Sequence, residues 1–281
     1  MPVAVVTDST AHLPEGFAER HGVRVVPLHV LVDGVASPDG VEMGPEALAE
    51  ALGQHRIVTT SRPTPGELAA AFRNALADGA DSVVSVHLSK KLSGTWEAAV
   101  VAAQEVGPDR VRVVDSRSTA MGLGFAALRA AEEAHRGGSA QDVERVAVAT
   151  AGRAETFFAV ETLDYLRRGG RIGPAAALLG TALAVKPVLH IADGEIRPWE
   201  KVRTMQRATN RLVELAADAA AGGPVDLAVH HLASPERAAE LATRLEERLH
   251  RSAGCVVSEL GAVVGAHTGP GVLGVVVQRV E

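Results

Sequence analysis

The first half of the chain alternates short runs of β-branched residues with stretches of helical periodicity. The runs Val3–Val6, Val23–Val32, Ser82–Val86 and Val111–Val114 are rich in valine and predict buried strands. Between them, Thr64-Pro65-Gly66-Glu67 is a capping box with proline at the first helical position, which predicts the start of a helix. Alternating strands and helices favour a doubly wound parallel sheet, whose ligands bind beyond the carboxyl ends of the strands.

Beyond about residue 153 the pattern changes. Two short segments, Val188–Ala192 and Glu195–Glu200, flank Asp193-Gly194 and predict a β-hairpin. The remaining segments predict helices and strands in mixed order: helices Met205–Ala221 and Pro235–Arg251, and strands Val225–His230, Val256–Val264 and Val272–Val277. We therefore predict an N-terminal α/β domain (1–153) with a doubly wound parallel sheet and a C-terminal α+β domain (154–281) with a mixed sheet. A ligand is expected between or beneath them.

Composition narrows the classes of function. The 281 residues carry a formal net charge of −6 and only 3% aromatic residues, which disfavours binding to nucleic acid or to anionic lipid head groups. The single Cys255 excludes an intramolecular disulfide and a cysteine metal cluster, and it fits a cytoplasmic protein. The longest largely apolar stretch, Ala175–Val185, is too short to span a bilayer, and the start of the chain does not resemble a signal peptide. No stable membrane anchoring and no cofactor are expected.

Two hydroxyl-rich segments are candidate anion sites. Thr59-Thr60-Ser61 precedes the predicted helix start, and Ser89–Thr95 follows a predicted strand, with Ser93 well placed as an N-cap and Gly94 permitting close approach to the backbone. Hydroxyls and free N–H groups at a helix start suit a carboxylate or phosphate. Both segments are also explained as simple turns and caps, and the residues alone do not decide between the two interpretations.

His267 and Arg171 are the remaining candidates. His267 stands among glycines between two predicted apolar strands, and a single histidine is more often structural than functional. Arg167 and Arg168 complement a helix C-terminus, whereas Arg171, beyond Gly169-Gly170, is less explained by that role. There is no G-x-S-x-G elbow, P-loop or H-E-x-x-H motif and no Ser-His-Asp pattern close in sequence.

Taken together and in order, these short motifs resemble those of the DegV family, the fatty-acid-binding subunits of bacterial fatty acid kinase. The segments that carry the resemblance extend from end to end: Val5-Val6-Thr7-Asp8-Ser9-Thr10, Thr60-Ser61-Arg62-Pro63, Ser93-Gly94-Thr95, Val114-Asp115-Ser116, Leu163-Asp164-Tyr165-Leu166, Gly169-Gly170-Arg171-Ile172, Lys186-Pro187-Val188-Leu189, Lys201-Val202-Arg203-Thr204 and Gly265-Ala266-His267. The family usually has Gln where this chain has Arg62.

The resemblance implies a non-catalytic carrier. A long-chain fatty acid would lie in a buried apolar tunnel, its carboxylate bound by Thr60, Ser61, Ser93 and Gly94 with His267 close by. Arg171 would face a separate ATP-binding kinase subunit that forms the acyl phosphate. One alternative is an enzyme in its own right, either a small-molecule kinase or a hydrolase that uses Ser93 and His267. Another is a protein–protein regulator that acts through the Arg171 surface.

Overall fold

The computed structural model describes residues 2–41, 43–178 and 185–280. Residues 179–184, which belong to the apolar stretch Ala175–Val185, therefore lie outside the described residues. The chain forms two compact units: unit 1 comprises Met1–His29 and Ser61–Arg153, and unit 2 comprises Val30–Thr60 and Ala154–Glu281.

The described strands are β1 (Val3–Asp8), β2 (Val23–Val26), β3 (His29–Val32), β4 (Val35–Pro38), β5 (Val58–Ser61), β6 (Ser82–His87), β7 (Val111–Asp115), β8 (Ala154–Ala159), β9 (Lys186–Ala192), β10 (Glu195–Val202), β11 (Val225–His231), β12 (Ser252–Glu259) and β13 (Leu273–Arg279). The described α-helices are α1 (Phe17–Arg20), α2 (Pro45–Gly53), α3 (Pro65–Ala77), α4 (Thr95–Val106), α5 (Met121–His135), α6 (Ala140–Ala151), α7 (Asp164–Arg168), α8 (Met205–Ala220), α9 (Pro235–Arg248) and α10 (Ala262–Thr268). Two 3-10 helices cover Ser9–Ala11 and Gly173–Leu178.

Unit 1 contains a sheet of parallel strands in the order β2-β1-β6-β7. Val6 and Val83 pack in one core with Phe72 of α3 and with the alanines of α4. Successive strand residues point to opposite faces, so Val5 and Val84 face the other side, where α5 and α6 pack on the strands. The predicted parallel α/β fold of this part is thereby confirmed. The capping box at Thr64 and Glu67 is also present at the start of α3.

Unit 2 contains a mixed sheet in the order β10-β9-β8-β13-β11-β12, in which only β11 and β12 are a parallel pair among the described strand pairs. Helices α8 and α9 cover one face through Leu212, Leu215, Leu241 and Leu245. The predicted hairpin is confirmed: Ala192 pairs with Glu195, and both Asp193 and Gly194 have positive φ, as a tight two-residue turn requires.

Residues 30–60 belong to unit 2, whereas the predicted division had placed them in the first domain. They form the small sheet β4-β3-β5 and helix α2, which packs against α10. The approach is close, because a Cβ atom on Gly265 of α10 would lie 2.5 Å from Cδ2 of Leu48 in α2. This packing brings together segments that are more than two hundred residues apart in the chain. Local periodicity in the sequence does not predict such a contact.

Two predicted strands were wrong in extent. Val23–Val32 is not one strand, because the chain breaks at Pro27 and its two parts, β2 and β3, join different sheets. Val256–Val264 ends as a strand at Glu259, and Val263 and Val264 lie in helix α10. His267 is therefore in the last turn of a helix and not in a glycine loop between strands.

Among the described residues, no helix is long and apolar enough to cross a membrane.

Candidate functional site

The central contact of the candidate site in unit 2 joins Thr60 and His267. Thr60 lies in β5, and not in a loop before a helix as the sequence suggested, while His267 lies in α10. Thr60 Oγ1 and His267 Nε2 are 2.8 Å apart, which is hydrogen-bonding distance. Two of the predicted head-group residues, separated by 207 positions in the chain, are thus brought together.

The other imidazole nitrogen of His267 faces Gly169. Nδ1 is buried and has no hydrogen-bond partner among the described residues, and a Cβ atom on Gly169 would overlap it. A buried N–H group without an acceptor is rarer and more costly than a buried lone pair. We therefore assign the ring proton to Nε2, which donates to Thr60 Oγ1. The Thr60 hydroxyl can then donate its own proton to another acceptor.

Burial, and to a smaller extent the neighbouring positive charge of Arg171, lower the pKa of His267 to about 4. The ring is therefore neutral at pH 7, which agrees with a single ring proton on Nε2. His267 positions the Thr60 hydroxyl but contributes no positive charge of its own to a bound anion.

A cavity of about 460 Å³ in unit 2 opens onto this pair. Its wall carries Arg56, Arg168 and Arg171 together with His55 and Tyr165. No Asp or Glu is among the described residues that line it. Arg171 is half-buried in the cavity wall, and its Nη1 donates to the backbone oxygen of Gly169 at 2.7 Å. The cavity is electropositive in a chain whose net charge is −6.

Ser93 and Gly94, the other predicted head-group residues, belong to unit 1, at the start of α4. Ser93 was predicted to be the N-cap, but Gly94 occupies that position and no side chain caps the helix. The Ser93 hydroxyl lies 2.9 Å from Thr95 Oγ1 instead. Ser61, also assigned to unit 1, is exposed at the end of β5.

Arg62 lies against Gly94. A Cβ atom on Gly94 would overlap Nη1 of Arg62 and would lie 3.2 Å from its Cδ and Cζ atoms. No described residue forms an ion pair or hydrogen bond with this guanidinium. An unpaired positive charge thus lies next to the loop that contains Ser93.

Unit 1 also contains a hydrogen-bonded Ser-His-Asp arrangement whose residues are far apart in the sequence. Ser85 Oγ lies 2.7 Å from His87 Nε2, and His87 Nδ1 lies 2.9 Å from Asp8 Oδ2. All three residues are completely buried, so no substrate reaches them. Asp8 Oδ2 also accepts from the N–H of Leu88 at 3.0 Å, which fixes the chain where it leaves β6 toward Ser93.

One feature of the sequence could have indicated the Ser-His-Asp arrangement. Asp8 and His87 end two valine-rich strands, and β1 and β6 pair in parallel, so their ends meet. By contrast, nothing in the local sequence pointed to Arg56 or to the contact between Gly169 and His267. Among the described residues there is no group of three or more His, Cys, Asp or Glu that could hold a metal ion.

The chain matches known proteins over nearly its whole length. The model of the DegV family, described as "Uncharacterised protein, DegV family", matches residues 2–280. A DegV domain-containing protein of Streptomyces coelicolor is 56% identical over 275 residues, which cover 98% of each chain.

Two solved structures resemble this chain closely. A fatty-acid-binding DegV family protein from Thermus thermophilus superimposes with a TM-score of 0.95, at 36% identity and over 100% of both chains. A stearic-acid-binding protein from Eubacterium ventriosum superimposes with a TM-score of 0.90, at 27% identity, over 99% of this chain and 98% of its own. With the family model matched from end to end, this chain belongs to the DegV family.

Proposed function

We propose that this protein binds a long-chain fatty acid in a buried apolar tunnel and presents the carboxyl group to a separate ATP-dependent kinase subunit. The observation that carries the proposal is the Thr60–His267 pair, which offers a hydroxyl donor to a cavity walled by arginines. The two solved relatives, one described as binding fatty acid and the other stearic acid, support the class of ligand. The carrier would act in the cytoplasm, a compartment that suits a single free Cys255.

The carboxylate is proposed to be held by Thr60, Ser61, Ser93 and Gly94, with His267 as the neighbour that orients Thr60. A carboxylate accepts hydrogen bonds and donates none, so the Nε2–H tautomer of His267 leaves the Thr60 hydroxyl in the matching donor role. Because His267 is neutral, it contributes no positive charge to balance the carboxylate. This division of roles binds an ionised acid without requiring a nucleophile.

The acyl chain supplies most of the affinity. Burying about 14 methylene groups at ~0.8 kcal/mol each contributes on the order of 11 kcal/mol before the ordering of the chain is subtracted. The head-group contacts therefore need only fix the position of the carboxylate. In the proposed reaction a carboxylate oxygen attacks the γ-phosphorus of ATP bound to the kinase, the bond to ADP breaks, and the acyl phosphate remains. The chain described here supplies the aligned carboxylate, and Arg171 is proposed to face the kinase.

Solvent extraction of the purified protein followed by mass spectrometry tests the carrier function. We expect a fatty acid, or, after delipidation, stoichiometric loading with palmitate or oleate. Protein that contains no fatty acid and takes up none contradicts the proposal. Incubation with ATP alone should give no acyl phosphate, detected as the hydroxamate with hydroxylamine, and no acyl ester should be hydrolysed. Turnover in either assay would favour the alternative of a stand-alone kinase or a hydrolase.

Variants separate the proposed roles. Thr60→Val and Ser93→Ala should each accelerate loss of the fatty acid, by about tenfold for a hydrogen bond to a charged group. Thr243→Val, at an exposed threonine of α9 whose hydroxyl binds only its own helix at Ala239, is the control and should not change retention. Arg171→Glu should abolish coupling to the kinase while the fatty acid stays bound. Loss of the lipid in Arg171→Glu would contradict a docking role.

A further inference from the structure

Helix α10 carries His267, so the position of this helix decides whether the imidazole ring contacts Thr60. The helix has only seven residues, Ala262–Thr268. A helix of about two turns is not stable in water without tertiary contacts. Its N-cap is Gly261, which has no side chain to accept a hydrogen bond from the first N–H groups of the helix. The placement of α10 therefore depends on residues elsewhere in unit 2.

Asp39 supplies a cap for α10 from a distant part of the sequence. Its Oδ1 atom accepts a hydrogen bond from the backbone N–H of Val263 at 3.3 Å, across 224 positions of the chain. Val263 is the second residue of α10, a position to which a capping side chain normally binds. Asp39 is buried, with 8% exposure, and a hydrogen bond is stronger in such surroundings than in water. Asp39 thus fixes the first turn of α10 to segment 30–60.

The same segment contacts α10 at two further points. Leu48 is completely buried and lies against Gly265, where a Cβ atom would be 2.5 Å from Cδ2 of Leu48. Thr60 Oγ1 lies 2.8 Å from Nε2 of His267. Residues 39, 48 and 60 therefore meet positions 263, 265 and 267 in order along the helix. Segment 30–60 aligns α10 from its first turn to its last.

The helix itself connects Asp39 to the head-group pair. His267 follows Val263 by four residues, which is about one turn, so the two residues lie on the same face. Backbone hydrogen bonds of 2.9 and 2.8 Å run through both turns and make α10 a rigid element. A side-chain hydrogen bond is lost beyond about 3.5 Å, so a movement of α10 by ~1 Å separates Nε2 from Thr60.

We propose that Asp39 is a positioning residue for the carboxylate head group: it aligns α10 so that His267 holds the Thr60 hydroxyl toward the ligand. Asp39 acts through the helix and does not itself bind the fatty acid. Its effect on lipid binding rests on the proposed function, whereas its effect on the Thr60–His267 contact does not. Losing the Asp39 hydrogen bond should therefore have the same consequence as losing the Thr60 hydroxyl, and the two losses should not add.

Histidine ¹⁵N NMR of the delipidated protein measures the contact directly. In Asp39→Ala we expect a mixture of His267 tautomers and a pKa that rises from about 4 toward the ordinary 6.5, by about one pH unit or more. Asp39→Asn, whose amide oxygen still accepts from Val263, should keep the wild-type ring. Leu215→Ala in the core beneath α8 is the control, since it destabilises the same unit without touching α10. A wild-type ring in Asp39→Ala, or an equal change in Leu215→Ala, overturns the proposal.

A second variant separates positioning from simple capping. Gly261 has φ −64°, which serine adopts without strain, so Gly261→Ser provides a cap within the helix. Added to Asp39→Ala, it should recover part of the lost stability, measured in urea, and it keeps the experiment possible if Asp39→Ala alone does not fold. The ring of His267 should stay disturbed in this double variant, because the local cap does not hold α10 to segment 30–60. A fully restored ring would show that Asp39 only caps the helix.

Palmitate retention tests the link to the proposed function. Asp39→Ala should accelerate loss of palmitate by up to about tenfold, like Thr60→Val. The double variant Asp39→Ala/Thr60→Val should lose palmitate no faster than Thr60→Val alone, because both changes act through the same hydroxyl. Effects that multiply in the double variant overturn the positioning role. A wild-type protein that takes up no palmitate contradicts the proposed function, and the NMR result then decides the role of Asp39 by itself.

Discussion

The imidazole ring of His267 occupies the space that a side chain on Gly169 would need. Gly169 closes helix α7 with an ordinary helical φ, so it is required for the room it leaves and not for an unusual backbone conformation. Gly169 therefore supports the Thr60–His267 hydrogen bond. Because it has no side chain, Nδ1 of His267 can lie against the backbone of Gly169 while Nε2 contacts Thr60.

Gly169→Ala is expected to displace the His267 ring and to break its bond to Thr60. Overpacking of this kind destabilises by about 1–3 kcal/mol, and fatty-acid retention should fall as in Thr60→Val. Urea unfolding and lipid exchange measure the two effects. Gly53→Ala, at the end of helix α2 where a Cβ atom meets nothing within 4 Å, is the control and should be neutral or slightly stabilising. Unaltered lipid exchange in Gly169→Ala would show that the ring has another way to hold Thr60.

The stability of the protein should fall as the pH is lowered from 7 to 4, in part because of His267. Its pKa is about 4 in the folded protein against an ordinary 6.5, so the unfolded chain binds more protons throughout this interval. The contribution is complete above pH 6.5, is lost progressively below it, and amounts to roughly 3 kcal/mol. Besides Thr60, the charged and titratable side chains that line the same cavity are Arg56, Arg168, Arg171, His55 and Tyr165.

Urea unfolding at several pH values measures this dependence. Burial also lowers the pKa of His190 and of His231, so the His267→Gln variant retains some acid sensitivity from those residues. His267→Gln should show a clearly shallower decline, whereas His55→Gln, at an exposed histidine, should decline like the wild type. If the free energy of unfolding depends on pH equally in the wild type and in His267→Gln, the His267 ring is not buried as a neutral base.

The charge of Arg62 is expected to strengthen binding of an ionised head group at the Ser93 loop. Arg62→Gln, which removes the charge and keeps a polar side chain, should weaken fatty-acid binding at low salt by about fivefold at most, because an exposed charge contributes up to ~1 kcal/mol. High salt should remove the difference. Arg73→Gln, at an exposed arginine of the same unit that pairs with Glu105, is the control. A difference that persists at high salt would contradict an electrostatic role.

The buried Asp8–His87 pair is expected to stabilise unit 1 strongly. Asp8→Ala removes the acceptor for His87, Leu88 and Thr10 and leaves buried donors unpaired, which typically costs about 3–5 kcal/mol. Chemical denaturation followed by circular dichroism measures the loss. Asp78→Ala removes an exposed bridge to Arg24 and should have little effect. Comparable stability of the two variants would show that the Asp8 network is replaceable.

Local sequence patterns were sufficient for much of the architecture. Valine-rich runs marked β1, β6 and β7 because buried parallel strands need side chains that are apolar on both faces. The Asp193-Gly194 turn and the Thr64–Glu67 cap are each decided by a few adjacent residues, and both are present in the structure. The resemblance to the DegV family also rested on short motifs taken together and in order, and the end-to-end match confirms it.

Tertiary structure alone decided the composition of the candidate site. Residues 30–60 were assigned to the first part of the chain, but α2 packs on α10, so Thr60 meets His267 across 207 positions. That contact depends on the room left by Gly169, and the cavity depends on Arg56 and Arg168 arriving from separate elements. Each of these residues is unremarkable within its own segment. The site exists only where the segments pack together, because a sequence window records periodicity and caps but not which distant side chain will fill a given space.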